Sequence, residues 1–242
     1  MHTNVQLGDK EVSITIHPSQ GRQGIKLWFE PGNPALQARA PQGELTTELQ
    51  AFIQKKSRWI LKHAGKLRGQ AEQLDNFHQR LAAGEALYRG TWQPVIMGSG
   101  NRPKVGIVGN NQIKISGVPT LKPQITLAAV YAIAKNDLKN RTIQLADYTG
   151  DREDISRVTV RSQQTRWGSC SSKGAINLNW RLALMPLEIS DYVIIHELMH
   201  LRQMNHSPAF WNEVKRYCPE YLRLRKEVQQ FSWLLSLKAP KK

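Results

Sequence analysis

The chain has 242 residues, 40% of them hydrophobic, and 34 Lys and Arg against 19 Asp and Glu give a formal charge of +15. That length holds one large domain or two small ones with a real core. The composition excludes general disorder, and no apolar run reaches the length of a membrane span.

The polar opening from Met1 to Lys10 lacks the apolar core of a secretory signal, so a cytoplasmic protein is the expectation. The two cysteines, Cys170 and Cys218, form no C-x-x-C pair and are expected to be reduced. Residues 151–242 carry 15 basic and 9 acidic side chains, a net +6, which leaves +9 for residues 1–150. Lys238, Lys241 and Lys242 make a short basic tail, but most of the excess is spread along the chain. Such a field attracts nucleic acid, nucleotides or acidic polypeptides, and is equally common as a solvated surface with no specific partner.

In chain order, residues 11–17 alternate apolar and polar and predict a half-buried strand. Ile25 to Phe29 predicts a second, Pro31-Gly32-Asn33-Pro34 a turn, and Leu36 to Ala40 a short extended piece. Together they predict a small antiparallel sheet. From Thr47 to Ala64 the period becomes helical, with Leu49, Phe52, Ile53, Ile60 and Leu61 on one face and Lys55, Lys56, Arg58 and Lys62 mainly elsewhere. Trp59 reads as a core or hinge contact. A polar, Gln-rich stretch runs on to Gly84.

Tyr88 to Met97 and Gln112 to Ser116 predict strands, with turns at Gly98 to Asn101 and Gly109 to Asn111. The glycines there match no phosphate loop. Pro119 to Pro123 is the predicted boundary between a β-rich region with one amphipathic helix, residues 1–120, and a second domain, residues 121–242. A long helix is expected from Pro123, with Leu127, Val130, Tyr131, Ala134 and Leu138 on one face. A strand at Arg157 to Arg161 follows, then a hairpin made of Thr165 to Ser171, a Lys173-Gly174 turn and Ala175 to Trp180. Helices are then expected from Leu187–Ser190 onward, over Ser207 to Tyr217, and over Glu220 to Leu235.

Within the first of these lies Ile195-His196-Glu197-Leu198-Met199-His200. Residues i and i+4 share a helix face, so His196 and His200 can grip one ion. Glu197 leaves the helix about 100° further round, beside the ion rather than in its ligand set, where a carboxylate can take a proton from water. Three of the seven histidines fall between 196 and 206. If the helix continued, His206 would point away, about 240° round and about 9 Å further along than His200. Asn205 as a left-handed C-cap, and Ser207-Pro208 as the start of a new helix, predict a corner that brings His206 back. Three imidazoles and a water make the open arrangement of a catalytic zinc, and another divalent metal fits the same ligands. Two core histidines capping a buried helix are the bland alternative.

With these residues placed, the chain resembles the YgjP-like metallopeptidase family, a relative of the SprT-like and other small zincin ("minigluzincin") proteins. The resemblance rests on Thr165 to Cys170, Asn179-Trp180-Arg181-Leu182, Tyr192 to Leu201, Asn205-His206-Ser207 and Phe210-Trp211. It covers about residues 155–235, and less distinctively Lys55 to Ile60. It implies an α+β fold with a zincin-like C-terminal half, a small twisted sheet beside the metal-binding helix. It also implies His196, His200 and His206 as ligands and Glu197 as base.

Several side chains remain to be assigned. Ala175 to Asn179 is the candidate edge strand for pairing with an extended peptide, with Asn177 and Asn179 as candidate substrate contacts. Arg166 is a candidate for substrate or transition-state contact, against the alternatives of stacking on Trp167 or pairing with Asp191. Cys170 near the metal is a lesser possibility, since the three imidazoles and water fill the site. Trp180, Phe210 and Trp211 read as core, and Glu213 and Glu220 as candidate carboxylates orienting the histidines. The leading expectation is a zinc-dependent hydrolase acting on polypeptide. The alternatives are a metal-dependent phosphohydrolase acting on nucleoside triphosphates, and a basic nucleic-acid-binding protein with a structural zinc. The sequence does not indicate an oligomeric state.

Overall fold

The computed structural model describes residues 1–19, 24–30, 33–41 and 43–240. Part of the predicted turn (Pro31 and Gly32) and of the basic tail (Lys241 and Lys242) lies outside the described residues. The chain has an α+β fold that forms two compact units, Met1–Asp75 and Asn76–Lys242.

In the first unit, β1 (His2–Leu7) and β2 (Lys10–Pro18) form an antiparallel hairpin in which Leu7 pairs with Lys10. Gly8 takes the left-handed conformation that so tight a reversal requires. β3 (Lys26–Phe29) and β4 (Leu36–Ala40) complete a sheet of order β1-β2-β4-β3. β4 pairs antiparallel with β3 but parallel with β2, so the sheet is mixed where the sequence predicts an antiparallel one. The reason is placement: β3 takes the outer edge, and β4 returns between it and β2.

Val12, Ile14 and Ile16 alternate into the core as the period-2 pattern predicts, joined by Leu36, Ala38 and Ala40. α1 (Thr47–Lys55) starts where the Thr46 hydroxyl caps the Leu49 amide, and presents Leu49 and Ile53 to that core. After a break at Lys56, α2 (Ser57–Ala82) runs well beyond the predicted end at Ala64. The Gln-rich stretch loses its apolar stripe, but Ala, Gln, Glu, Leu and Arg are intrinsic helix formers and sustain the helix without one. The division between the compact units falls inside α2, rather than at Pro119–Pro123.

In the second unit, Glu85 to Pro94 is a hairpin of β5 (Glu85–Tyr88) and β6 (Thr91–Pro94), where the sequence predicts one strand from Tyr88. Arg89 and Gly90 at its turn both have positive φ, the two-residue reversal that suits twisted strands. β7 (Ile96–Gly98), β8 (Lys104–Val108) and β9 (Gln112–Ser116) form a sheet of order β7-β9-β8. α3 (Pro123–Thr149) starts on Pro123 and stops at a left-handed Gly150. It packs against β8 and β9, which is why that sheet belongs to the second unit.

The third sheet positions the site. β10 (Arg157–Arg161) pairs parallel with β12 (Ala175–Asn179), and β11 (Gly168–Cys170) pairs antiparallel with the other side of β12. The Lys173-Gly174 hairpin is as predicted. The edge assignment is not, because β12 is central and has both hydrogen-bonding sides filled, so β11 is the edge beside the next helix.

That helix, α4 (Leu187–Met199), buries Ile189, Tyr192, Val193, Ile194, Ile195, Leu198 and Met199 around nearly its whole circumference. Arg141 of α3 holds Asp191 of α4 through both carboxylate oxygens. α5 (Pro208–Tyr217) follows the Ser207 cap, which accepts from the Phe210 amide. α6 (Tyr221–Glu227) is shorter than predicted, and Val228–Ser236 tightens into a 3-10 helix. Among the described residues no helix is long and apolar enough to cross a membrane.

Candidate metal centre

His196 and His200 lie one turn apart at the end of α4, with ring centroids 5.0 Å apart. The helix stops at His200, five residues before the predicted cap. Asn205 does not adopt the left-handed conformation; its side-chain oxygen instead accepts from the Ser207 amide. The corner is built by Arg202. Its Nε donates to Asp151 Oδ1 at 2.6 Å, one Nη to Glu213 and Tyr217 Oη, and the other to the Thr149 carbonyl. This pins residues 201–205 against the end of α3 and turns the chain back through His206. Asp151 is almost wholly buried, so its charge depends on that guanidinium. Arg202→Met is expected to lower stability by about 3 kcal/mol and to weaken metal retention, measured by denaturant unfolding and metal content. The guanidinium is partly wetted, which keeps the figure at the low end for a broken buried pair.

The result is a convergence of three imidazoles. His196 Nε2 and His206 Nε2 are 3.1 Å apart, and one ligating atom from each of the three histidines lies within 4.8 Å of the others. Nitrogens at about 2.0–2.1 Å from a tetrahedral ion are about 3.3 Å from one another, so the three ligating atoms must draw in by no more than about 1.5 Å to hold one. His200 Nδ1 lies 3.0 Å from the Gln203 carbonyl, which can only accept. Nδ1 therefore carries the proton, and the lone pair sits on Nε2, free for a metal. Phe210 backs all three rings, at 4.9 Å from His196, 4.5 Å from His200 and 4.9 Å from His206. Burial, the other two imidazoles and the Arg225 charge push His196 down to about 3, so its ring is neutral, as a ligand must be.

Glu197 lies on the same helix, buried and lining the same cavity of about 690 Å3 as His196 and His206. Burial pushes its carboxyl up to about 7, partly opposed by the Arg166 charge. β11 runs directly over it: a Cβ on Gly168 would stand 2.6 Å from both Cγ and Oε1 of Glu197. Arg166, Trp167 and Gly168 form one wall, Tyr192 and Val193 of α4 another, and Trp211, Arg225, Val228 and Gln229 the rest.

The other sequence assignments divide. Arg166 lines the cavity, and Asp191, its alternative partner, is taken by Arg141. Asn177 and Asn179 do not reach the cavity: Asn177 accepts from the Thr159 hydroxyl, and fully buried Asn179 bonds to Gln163, Arg166 and Arg181. They hold the strands and the loop leading to β11. Trp180 and Phe210 are core as expected, but Trp211 is a cavity wall, stacked 5.6 Å from His206. Glu213 bonds Arg202 and Glu220 bonds Arg223, so the group orienting His200 is the Gln203 carbonyl and neither carboxylate.

Cys170 and Cys218 are free, and Cys170 lies outside the three-histidine cluster. Burial and the Glu197 charge raise the Cys170 thiol to about 11, far from a thiolate. Gly168 and Arg225 escaped sequence reasoning. Gly168 carried a signal, a glycine inside a Trp-Gly-Ser-Cys run, whereas Arg225 is one of several cations on a short helix and carried none.

A family model described as "YgjP-like, metallopeptidase domain" matches residues 25–231. No curated protein matches the chain. Among solved structures, one described as the metallopeptidase zymogen of Pyrococcus abyssi abylysin is 26% identical, covering 38% of this chain and 92% of that chain, with a TM-score of 0.36.

Proposed function

The chain belongs to the YgjP-like metallopeptidase family, and we propose that it is a zinc-dependent peptidase in which Glu197 is the general base. The observation that carries this reading is the convergence of His196, His200 and His206 beside the Glu197 carboxyl in one open cavity. Three imidazoles fit a zinc ion with a position left over, and no fourth protein ligand joins the cluster among the described residues.

Zinc held there would acidify water toward a pKa of about 7 and polarise the scissile carbonyl. Glu197 takes the water proton on a carboxylate oxygen and returns it to the departing amine nitrogen. Burial raises the proton affinity of this carboxylate, which strengthens it as a base, and a zinc ion beside it would pull that affinity back down. Gly168 keeps β11 close enough to fix the carboxyl in place. β11 is also the free sheet edge nearest the helix, the natural place for an extended peptide to add a strand.

The test is metal analysis with an unfolded polypeptide as substrate. We expect one zinc per chain, cleavage lost on chelation and restored by zinc, and neither zinc nor cleavage in His196→Ala. Full cleavage by chelated protein, or by His196→Ala, would refute the reading.

A further inference from the structure

Resting on that peptidase reading, we propose that the cavity beside the histidines selects a carboxylate next to the scissile bond, received by Arg225. The shared chemistry is a single carboxylate, either the free C-terminus of the substrate or an Asp or Glu side chain.

The cavity wall holds two guanidinium groups, Arg166 and Arg225, against one carboxyl, the largely buried Glu197. Neither arginine has a carboxylate within ion-pair distance among the described residues. For Arg225 the cause is visible in its own helix. Arg223, two residues earlier, gathers Glu188, Glu220 and Glu227 onto one guanidinium. These three carboxylates are thereby drawn to Arg223, and Arg225 lines the cavity with no carboxylate within ion-pair distance among the described residues.

Arg225 is also held in place. Its guanidinium lies 4.6 Å from the centre of the Trp211 ring, and Trp211 stacks on His206 at 5.6 Å and on Tyr221 at 5.5 Å. A guanidinium fixed on an aromatic face keeps its N–H edge available, which is the geometry that binds a carboxylate through two parallel hydrogen bonds. Trp211 connects the anion-binding group to a metal-ligating ring, so the anion sits within a residue or so of the bond attacked. Arg166 approaches from the Glu197 side and adds positive potential without a similar platform.

The experiment measures binding to zinc-loaded Glu197→Gln protein by calorimetry, using one short peptide in four forms. One pair differs only in a free or amidated C-terminus, and the other, amidated throughout, in Glu or Gln just after the scissile position. We expect at least one anionic peptide to bind about tenfold tighter than its neutral partner. Arg225→Gln should remove that preference while leaving neutral peptides unchanged, and Arg225→Lys should keep part of it. Preference for the free terminus alone would identify an end-trimming enzyme, and preference for Glu alone an acidic side-chain subsite.

Equal binding within both pairs, or a preference that survives Arg225→Gln, overturns the proposal. So does Arg225-dependent binding of a nucleoside triphosphate with no peptide binding. The two readings fail separately. Wild-type cleavage without anionic preference removes only the carboxylate subsite. Anion-selective binding without any cleavage removes the peptidase reading and keeps the subsite.

Discussion

Glu197→Gln is expected to cut the rate of peptide cleavage by about 10²–10⁴-fold, the usual contribution of a positioned general base, while the protein keeps one zinc per chain. The substitution is close to isosteric, which matters here because Gly168 leaves no spare room around the side chain. An amide fits the same space but accepts no proton from water and has none to give the leaving amine. The ligands His196, His200 and His206 are untouched, since Glu197 leaves the helix on a different line from the two ligating residues of α4. The result expected is therefore a fall in kcat with KM and metal content preserved. Metal loss on a par with His196→Ala would place Glu197 among the ligands instead, and undiminished cleavage would remove it from the chemistry.

How much of this site could be read beforehand follows from how far apart its parts lie in sequence. His196, Glu197 and His200 share one helical turn, so their geometry is dictated by helix pitch and needs no tertiary information. His206 needed only a corner, and the Ser207-Pro208 start supplied one. The mechanism of the corner was not local, however: it depends on Arg202 reaching Asp151, a contact across 51 residues that no spacing rule displays.

The sheet shows the same limit. The hairpin of β11 and β12 is local and was legible, while the parallel pairing of β10 with β12 is not, and that pairing decides which strand is the edge. Asn177 and Asn179 looked like cavity residues only while β12 looked like an edge. Their amides are instead consumed in fastening β10 and the loop before β11. Trp211 illustrates the converse: an aromatic on an amphipathic helix reads as core by periodicity, and only the approach of α6 turns its face into a wall. In α2 the apolar stripe fades while helix propensity persists, so a reading by periodicity ended the helix 18 residues before Ala82.

Gly168→Ala is the sharpest test of the contact that sequence reasoning overlooked. The added Cβ would lie 2.6 Å from Glu197 Cγ and Oε1 and 2.8 Å from Cδ, well inside van der Waals contact. Glu197 cannot swing far, because α4 is buried on nearly every side and Arg141 anchors it through Asp191. β11 cannot easily retreat either, since its three residues pair with β12, and Asn179 ties down the loop before it through the Arg166 carbonyl. Whichever side yields, the carboxyl moves by a sizeable fraction of an ångström. A displacement of about 1 Å at a reacting group costs about 10²-fold in rate, and that is the fall in kcat expected for Gly168→Ala. Zinc content should stay at wild-type level, because the three atoms nearest the new methyl all belong to Glu197 and not to a metal-ligating ring. Gly106→Ala is the matched control: Gly106 also lies in a strand, its added Cβ would meet nothing within 4 Å, and activity should be unchanged. If Gly168→Ala retained wild-type kcat, the carboxyl would not need the position that β11 gives it, and the role assigned to Glu197 would fall with that need.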